Sequence, residues 1–240
     1  MPRARWQALL FDLDDTLLDY SGAVDRCWAE ACATLAGPAG VDPAVLTRAI
    51  HEVARWFWSD PDRHRRERVD MLGAWTRIAA AALDRCAGPC DGLAGRLARD
   101  FARRRFAAMR LFPDALAALE HARRRGLPLG LLTNGDARMQ RAKLARWDLA
   151  RFFDVIVIEG EFGAGKPDAA VFRHALGVLG VGAGQAAMIG DNLVWDVEGA
   201  RRVGLHAVWL DRAGRGLPAE SPVCPDRIIR TLDEVPALLG

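Results

Sequence analysis

Phe11-Asp12-Leu13-Asp14-Asp15-Thr16-Leu17 sets two carboxylates two residues apart, directly after the apolar run Ala8-Leu9-Leu10-Phe11. Two anions at a strand tip, with no basic residue beside them in sequence, repel one another unless something neutralises them, and a hard divalent cation does so most directly. A strand ending in a solvated acidic turn fits the same fragment, so alone it leaves both readings open. Three further polar motifs follow: Thr133-Asn134-Gly135, Gly165-Lys166-Pro167-Asp168, and Gly190-Asp191-Asn192 with Asp196 five residues beyond Asp191. Each is ordinary by itself, as a turn, a loop before a helix, or a helix cap. Together, in this order, they supply a nucleophilic carboxylate, a proton donor, a small hydroxyl, one cation and a further carboxylate pair. That set suits phosphoryl transfer through a metal-held aspartyl-phosphate.

Such chemistry needs these motifs at one edge of one scaffold. Five short apolar runs predict strands over 7–13, 127–133, 154–158, 186–190 and 205–210, each ending in a polar or glycine-containing turn. The first is apolar on both faces, as a buried parallel strand must be. Between the last four, helical patterns run over 115–125, from Asp136 to about 147, from Asp168 to about 179, and from Asn192 or Asp191 to about 203, where Gly204 closes the helix. Strands alternating with helices imply right-handed crossovers and an α/β fold built on a doubly wound parallel sheet with a Rossmann-like core. All four motifs then fall at C-terminal strand ends, where open parallel sheets bind ligands.

The first strand breaks the alternation. From 21 to 109 no strand pattern appears, and Ala/Arg/Leu-rich helical patterns run over 22–35, 43–58, 66–83 and 93–109. The breaks are Gly37-Pro38-Ala39-Gly40, Ser59-Asp60-Pro61 and Ala87-Gly88-Pro89. A segment of about 90 residues is too long for a simple crossover. It is read as an inserted α-helical cap domain, 21–109, between the two parts of an α/β catalytic core, 1–20 and 110–240. The stretch 213–225 reads as a Gly/Pro-rich loop.

Composition narrows the setting. With 51% hydrophobic and 27% charged residues the chain can build a core without disulfides. A net charge of +2 gives no reason to expect nucleic acid or an anionic membrane as partner. Five cysteines (27, 32, 86, 90, 224) are odd in number and sparse, so they read as ordinary reduced thiols, Cys86 and Cys90 included. Arg3 and Arg5 precede an apolar stretch that stops at Phe11, which is neither a signal peptide nor a membrane span. The expectation is a cytoplasmic monomer or homodimer. Among 33 basic residues, Lys143 and Lys166 are the only lysines. Lys166 belongs to a motif; Lys143 has no evident task and is read as a surface residue.

In these motifs and their order the chain resembles the haloacid dehalogenase superfamily, in particular its phosphatase branch with a helical cap after the first motif, as in phosphoglycolate phosphatases and nucleotidase-like members. The resemblance spans essentially the whole chain. It implies that Asp12 is the nucleophile. Asp14 would be the acid/base that protonates the leaving alcohol and then activates water, its backbone carbonyl also facing the metal. Thr133 would hold a phosphoryl oxygen beside the Asn134 N–H, and Lys166 would offset charge between nucleophile and phosphoryl group. Mg²⁺ would be held by Asp12, Asp14 and Asp191. Asp196 would position Lys166 or a metal-bound water, and Thr16 and Asn192 would support the ligands from behind. A compact ammonium suits the position of Lys166 better than a wide guanidinium.

The implied function is a Mg²⁺-dependent phosphomonoester hydrolase acting on a small phosphorylated metabolite. Asp14 argues against dehalogenation, in which no leaving alcohol needs a proton. The absence of lysine from 21–110 closes a Schiff-base phosphonatase route. A phosphomutase of the same fold stays open as the alternative, and a non-catalytic binding module is disfavoured because the motif carboxylates are all present. In the cap, Trp56 and Trp58 cannot share one helix face, so at least one is expected in the core. Arg63-His64-Arg65-Arg66-Glu67-Arg68, Arg103-Arg104-Arg105 and Arg123-Arg124-Arg125 are read as solvated faces. Asp15 is expected to turn away from the site, and Glu161 either to steady the Lys166 loop or to lie on the surface.

Overall fold

The computed structural model describes residues 6–88, 90 and 92–240. The chain forms two compact units: one joins residues up to Asp19 with Arg110–Gly240, the other is Tyr20–Met109.

The first unit is built on six parallel strands in the order β5-β4-β1-β6-β7-β8. They are β1 (Ala8–Phe11), β4 (Leu129–Thr133), β5 (Val155–Ile158), β6 (Ala186–Gly190), β7 (His206–Leu210) and β8 (Arg227–Ile229). A two-residue antiparallel ribbon, β2 (Leu18–Asp19) with β3 (Arg110–Leu111), stands apart from the sheet. From β1 the chain builds outward through β4 and β5, then returns to the other side through β6, β7 and β8. Strand order therefore reverses at β1, between the tips of β4 and β6. Ala8, Leu9, Leu10 and Phe11 are all fully buried, which is why the strand reads apolar at every position. Gly130 lies where a Cβ would come 2.5 Å from Leu10 Cδ2, so a glycine lets these neighbouring strands pack.

Helices cover this sheet: α6 (Ala115–Arg124), α7 (Ala137–Arg146), α8 (Glu159–Phe162), α9 (Ala169–Leu179), α10 (Gly199–Arg202) and α11 (Val235–Leu239). Val171, Phe172, Ala175 and Leu176 of α9 join Leu10, Leu132, Met188 and Trp209 in one apolar cluster. Asp136 caps α7 at the Met139 N–H, 2.8 Å away, and Asp168 caps α9 at the Ala170 N–H, also 2.8 Å away. Both caps stand where the sequence places them. Strand β8 and the ribbon escape sequence reading because runs of two or three residues, such as Arg227-Ile228-Ile229, carry too little periodicity.

The second unit is all-helical: α1 (Val24–Leu35), α2 (Pro43–Ser59), α3 (Pro61–Glu67), α4 (Met71–Cys86) and α5 (Leu93–Ala108). The helix expected over 66–83 divides, because Asp60 caps α3 and Asp70 caps α4. Phe57 is the buried aromatic of α2, whereas Trp56 is exposed beneath the Arg63 guanidinium and Trp58 is half-buried against Phe57 and His64. Neither tryptophan is core, so the expectation for that pair fails. A run of three residues places only one side chain inward, and Phe57 takes that place. The Arg103-Arg104-Arg105 face is also not all solvated. Arg105 is buried, stacked 3.5 Å over Tyr20 and bonded to its carbonyl oxygen. The five cysteines are free thiols. Pro89, within the Cys86–Cys90 segment, and Arg3 and Arg5 lie outside the described residues. Among the described residues no helix is long and apolar enough to cross a membrane.

Candidate active site

Asp12 follows β1 directly, and its N–H still bonds the Ile189 carbonyl at 3.0 Å, so the strand ladder fixes where its carboxylate starts. Lys166 reaches the same point from the loop between α8 and α9. Its side chain is 2% exposed, and Nζ donates to Asp12 Oδ1 and to Asp196 Oδ1, each at 2.6 Å. An unpaired buried ammonium would cost several kcal/mol, so two carboxylate partners are what permit the burial. Burial pulls the Lys166 pKa down, but Asp12 and Asp196 outweigh it and hold the ammonium above its ordinary range.

The Lys166 loop is locked to the Thr133 loop. The Asn134 side chain accepts from Lys166 N–H at 2.7 Å and donates to Lys166 carbonyl at 2.8 Å. Glu159, buried at the start of α8, accepts the Gly135 N–H at 2.9 Å, and a Cβ on Gly165 would meet its carboxyl group at 2.4 Å. Glu159 is thus the acid between the two loops. Glu161 pairs with Arg141 at the surface, the plainer of its two expected fates. Lys166-Pro167 is a cis peptide.

Asp196 sits in a π-helical turn, Leu193–Glu198, that leads into α10. The wider turn swings its carboxylate back against the strand tip, where Gly190 leaves room: a Cβ there would come 2.3 Å from Asp196 Oδ2. Asp196 Oδ2 accepts the Asn192 N–H at 3.0 Å, and Asn192 Oδ1 caps the turn at the N–H groups of Val194 and Trp195. Asp191 is tied at its backbone, its N–H donating to Thr16 Oγ1 at 3.2 Å and its carbonyl accepting Trp209 Nε1–H at 2.7 Å.

Asp12, Asp191 and Asp196 each offer an oxygen to one cluster, all within 4.8 Å of one another. Burial, reinforced by the Asp196 and Asp14 charges and opposed by Lys166, pushes Asp12 up to about 7. Burial, with the charges of Asp12, Asp196 and Asp15, pushes Asp191 up to about 9. One ammonium does not balance this many carboxylates. The deficit is one that a divalent cation bound by oxygen ligands would cancel. Asp196 already accepts from Lys166 and Asn192 on its two oxygens, which leaves Asp12 Oδ2 and the Asp191 carboxylate as the better donors. Asp15 has a left-handed backbone, φ 60, and its charge acts on Asp191.

The carboxylate of Asp14 is absent from that cluster. It turns to α7, where Lys143 Nζ donates to both of its oxygens at 2.8 and 2.7 Å and Gln140 Nε2 lies 3.0 Å from Oδ2. Lys143 is therefore not a surface residue; its side chain is 1% exposed. The helical spacing of 140, 143 and 144 turns this face of α7 inward, and an ammonium there requires a carboxylate partner. Gln140 also contacts Thr133 Oγ1 at 2.5 Å and the Asn134 carbonyl at 3.1 Å. Neither residue lies in one of the four motifs, but the scarcity of lysine was a usable signal for Lys143.

Residues 6–204 match the family model of haloacid dehalogenase-like hydrolases. The chain belongs to that family. As a haloacid dehalogenase-like hydrolase it is 40% identical to a phosphoserine phosphatase of Thermus thermophilus, over 95% of this chain and 96% of that one. It is 30% identical to an N-acylneuraminate-9-phosphatase of Rattus norvegicus, over 100% and 96% of the two chains. Its fold superposes on a haloacid dehalogenase-type phosphatase from Thermococcus onnurineus with a TM-score of 0.69, 27% identity and 98% coverage of both chains. A haloacid dehalogenase-like hydrolase with such full-length relatives is an enzyme of the phosphatase class.

Proposed function

We propose that this protein is a Mg²⁺-dependent phosphomonoester hydrolase that works through a phosphoryl group carried on Asp12, with a small phosphorylated metabolite as substrate. The observation that carries the reading is the buried Lys166 bonded to Asp12 and Asp196 beside Asp191, at the strand tips where sheet order reverses.

Asp12 Oδ attacks phosphorus, and the bond from phosphorus to the ester oxygen breaks. Asp14 gives its proton to the departing alkoxide. Water then attacks the phosphoryl group on Asp12 and passes a proton to Asp14, and the bond from phosphorus to Asp12 breaks to release inorganic phosphate. Thr133 Oγ1 and the Asn134 N–H orient a phosphoryl oxygen, and Lys166 holds Asp12 in line and offsets negative charge as it spreads over the phosphoryl oxygens. Asp12, Asp191 and the Asp14 carbonyl would hold Mg²⁺, which supplies charge neutralisation between two anions. Asp196, Thr16 and Asn192 keep those groups in place. The helical unit, residues 20–109, acts as the cap that selects the leaving group.

The relatives carry names for phosphate esters of small polar skeletons, namely phosphoserine, N-acylneuraminate 9-phosphate and, at 31% identity in Methanopyrus kandleri, glyceraldehyde 3-phosphate. That supports a compact, polar phosphomonoester here. Purified protein with Mg²⁺ is expected to release phosphate from p-nitrophenyl phosphate and from some members of a panel of such esters. Asp12→Asn is expected to lose nearly all of that activity, and full turnover in this variant would refute the mechanism.

A further inference from the structure

Lys143 and Gln140 stand outside every motif of the site, yet both spend buried polar groups on Asp14. We propose that they are positioning residues that set the Asp14 carboxylate for proton transfer before substrate arrives. The proposal rests on the reading of Asp12 and Asp14 as nucleophile and acid/base.

The geometry is one-sided. The Lys143 side chain is 1% exposed, while that of Asp14 is 22% exposed. The ammonium thus grips both carboxylate oxygens from the protein side and leaves the outer edge of the group open. Gln140 extends the grip. Its two amide hydrogens face three oxygens, those of Asp14 Oδ2, Thr133 Oγ1 and the Asn134 carbonyl. An N–H given to Thr133 Oγ1 turns the threonine hydroxyl hydrogen outward, toward an arriving phosphoryl oxygen. One amide therefore sets the distance between the proton carrier and the phosphoryl-holding hydroxyl.

A merely structural ion pair is a poor account of this arrangement. Buried pairs rarely add stability over well-packed apolar residues, and position 143 lies on a helix face with the buried Leu144 beside it. The pair makes sense where a fixed carboxylate is needed. Its parts, from α7 and the turn after β1, belong to the same compact unit. The acid/base is thus in place both when the product alcohol leaves and when the second acceptor arrives.

The test uses full-length Lys143→Met and Gln140→Leu with two esters. p-Nitrophenyl phosphate has a leaving group that needs no proton; glycerol 2-phosphate has one that does. For Lys143→Met we expect kcat/KM for the alkyl ester to fall about 10²-fold or more, the general-acid share, and that for the aryl ester to fall by less than about tenfold. Its aryl kcat falls with KM, and rapid mixing shows a burst of nitrophenolate near one per enzyme as water attack becomes slow. Gln140→Leu shows the same split, smaller, and decides the matter if Lys143→Met does not fold. Equal losses on both esters without a burst, or no loss on either, would overturn the proposal. Failure of the underlying reading looks different: the wild-type protein would lack Mg²⁺-dependent turnover of either ester, or Asp12→Asn would keep its activity.

Discussion

Asp191→Asn should make the metal-free protein more stable while removing its response to Mg²⁺. Asp191 is pushed up to about 9 and Asp12 to about 7, both from 3.8, first by burial and then by neighbouring carboxylates. The folded state therefore keeps protons that the unfolded chain releases above about pH 4, so each rise in pH from there to about 9 favours unfolding. Lys166, raised above its ordinary range, stays charged throughout and contributes no slope. Keeping a carboxyl neutral costs ~1.4 kcal/mol per pH unit above its ordinary value, which for Asp191 at about pH 7.5 sets a ceiling of about 5 kcal/mol. Dielectric relaxation around a partly accessible group reduces this to ~1–3 kcal/mol. The asparagine keeps the backbone bonds to Thr16 and Trp209 and removes the charge. In a chelator, thermal melts of the variant should lie ~3–10 °C above wild type at about pH 8, and the gap should close near pH 5. Millimolar Mg²⁺ should raise the wild-type midpoint, more at high pH than at low, and leave the variant unmoved. A variant that melts below wild type in chelator at both pH values would show that the carboxylates are not in conflict, and the argument for a missing cation would fail.

Lys166→Met should leave Asp12 and Asp196 buried without their shared ammonium and cost ~3–5 kcal/mol, read by denaturant titration in chelator, together with loss of phosphate release. Gly165→Ala should push its Cβ into the Glu159 carboxyl, displace Lys166 and lower kcat about 10²-fold, whereas Glu159→Gln, still able to accept the Gly135 N–H, should cost less than about tenfold. Arg212→Met should be destabilising by ~3–5 kcal/mol, because the guanidinium bonds Asp114 at 2.9 and 3.0 Å and the Thr16 carbonyl at 2.8 Å; its melting midpoint checks this. Burial pushes the Asp114 pKa up, but Arg212 and the Leu232 N–H outweigh it and hold the carboxyl below its ordinary range, so this part of the stability is present above about pH 4 and lost below it, visible as a stability that falls less steeply with acid in Arg212→Met than in wild type.

What was legible in the sequence was whatever repeats or stands out locally. β1 is apolar at four consecutive positions, and β4 and β6 end at the residues expected of them, so the strand tips that carry Asp12, Thr133 and Asp191 are legible in the sequence alone. The illegible parts depend on partners distant in the chain. The Asp14 carboxylate could be assigned to a cation only by knowing that α7 packs beside the turn after β1, since 129 residues separate it from Lys143. Glu159 and Glu161 are equivalent as letters, and only the direction of a short helix makes one buried and the other a surface partner of Arg141. The π-turn that aims Asp196 at Lys166 leaves no periodic mark. Yet the signal for Lys143 was already visible. A chain that uses arginine almost everywhere keeps lysine where a compact, three-donor head must fit between buried oxygens, and this holds for Lys143 as it does for Lys166. Both lysines end within 2.8 Å of a motif-one aspartate, one on Asp12 and one on Asp14. Two cations thus divide the two carboxylates of Asp12-Leu13-Asp14 between them, which is how side chains so near in sequence can be kept apart for two different jobs.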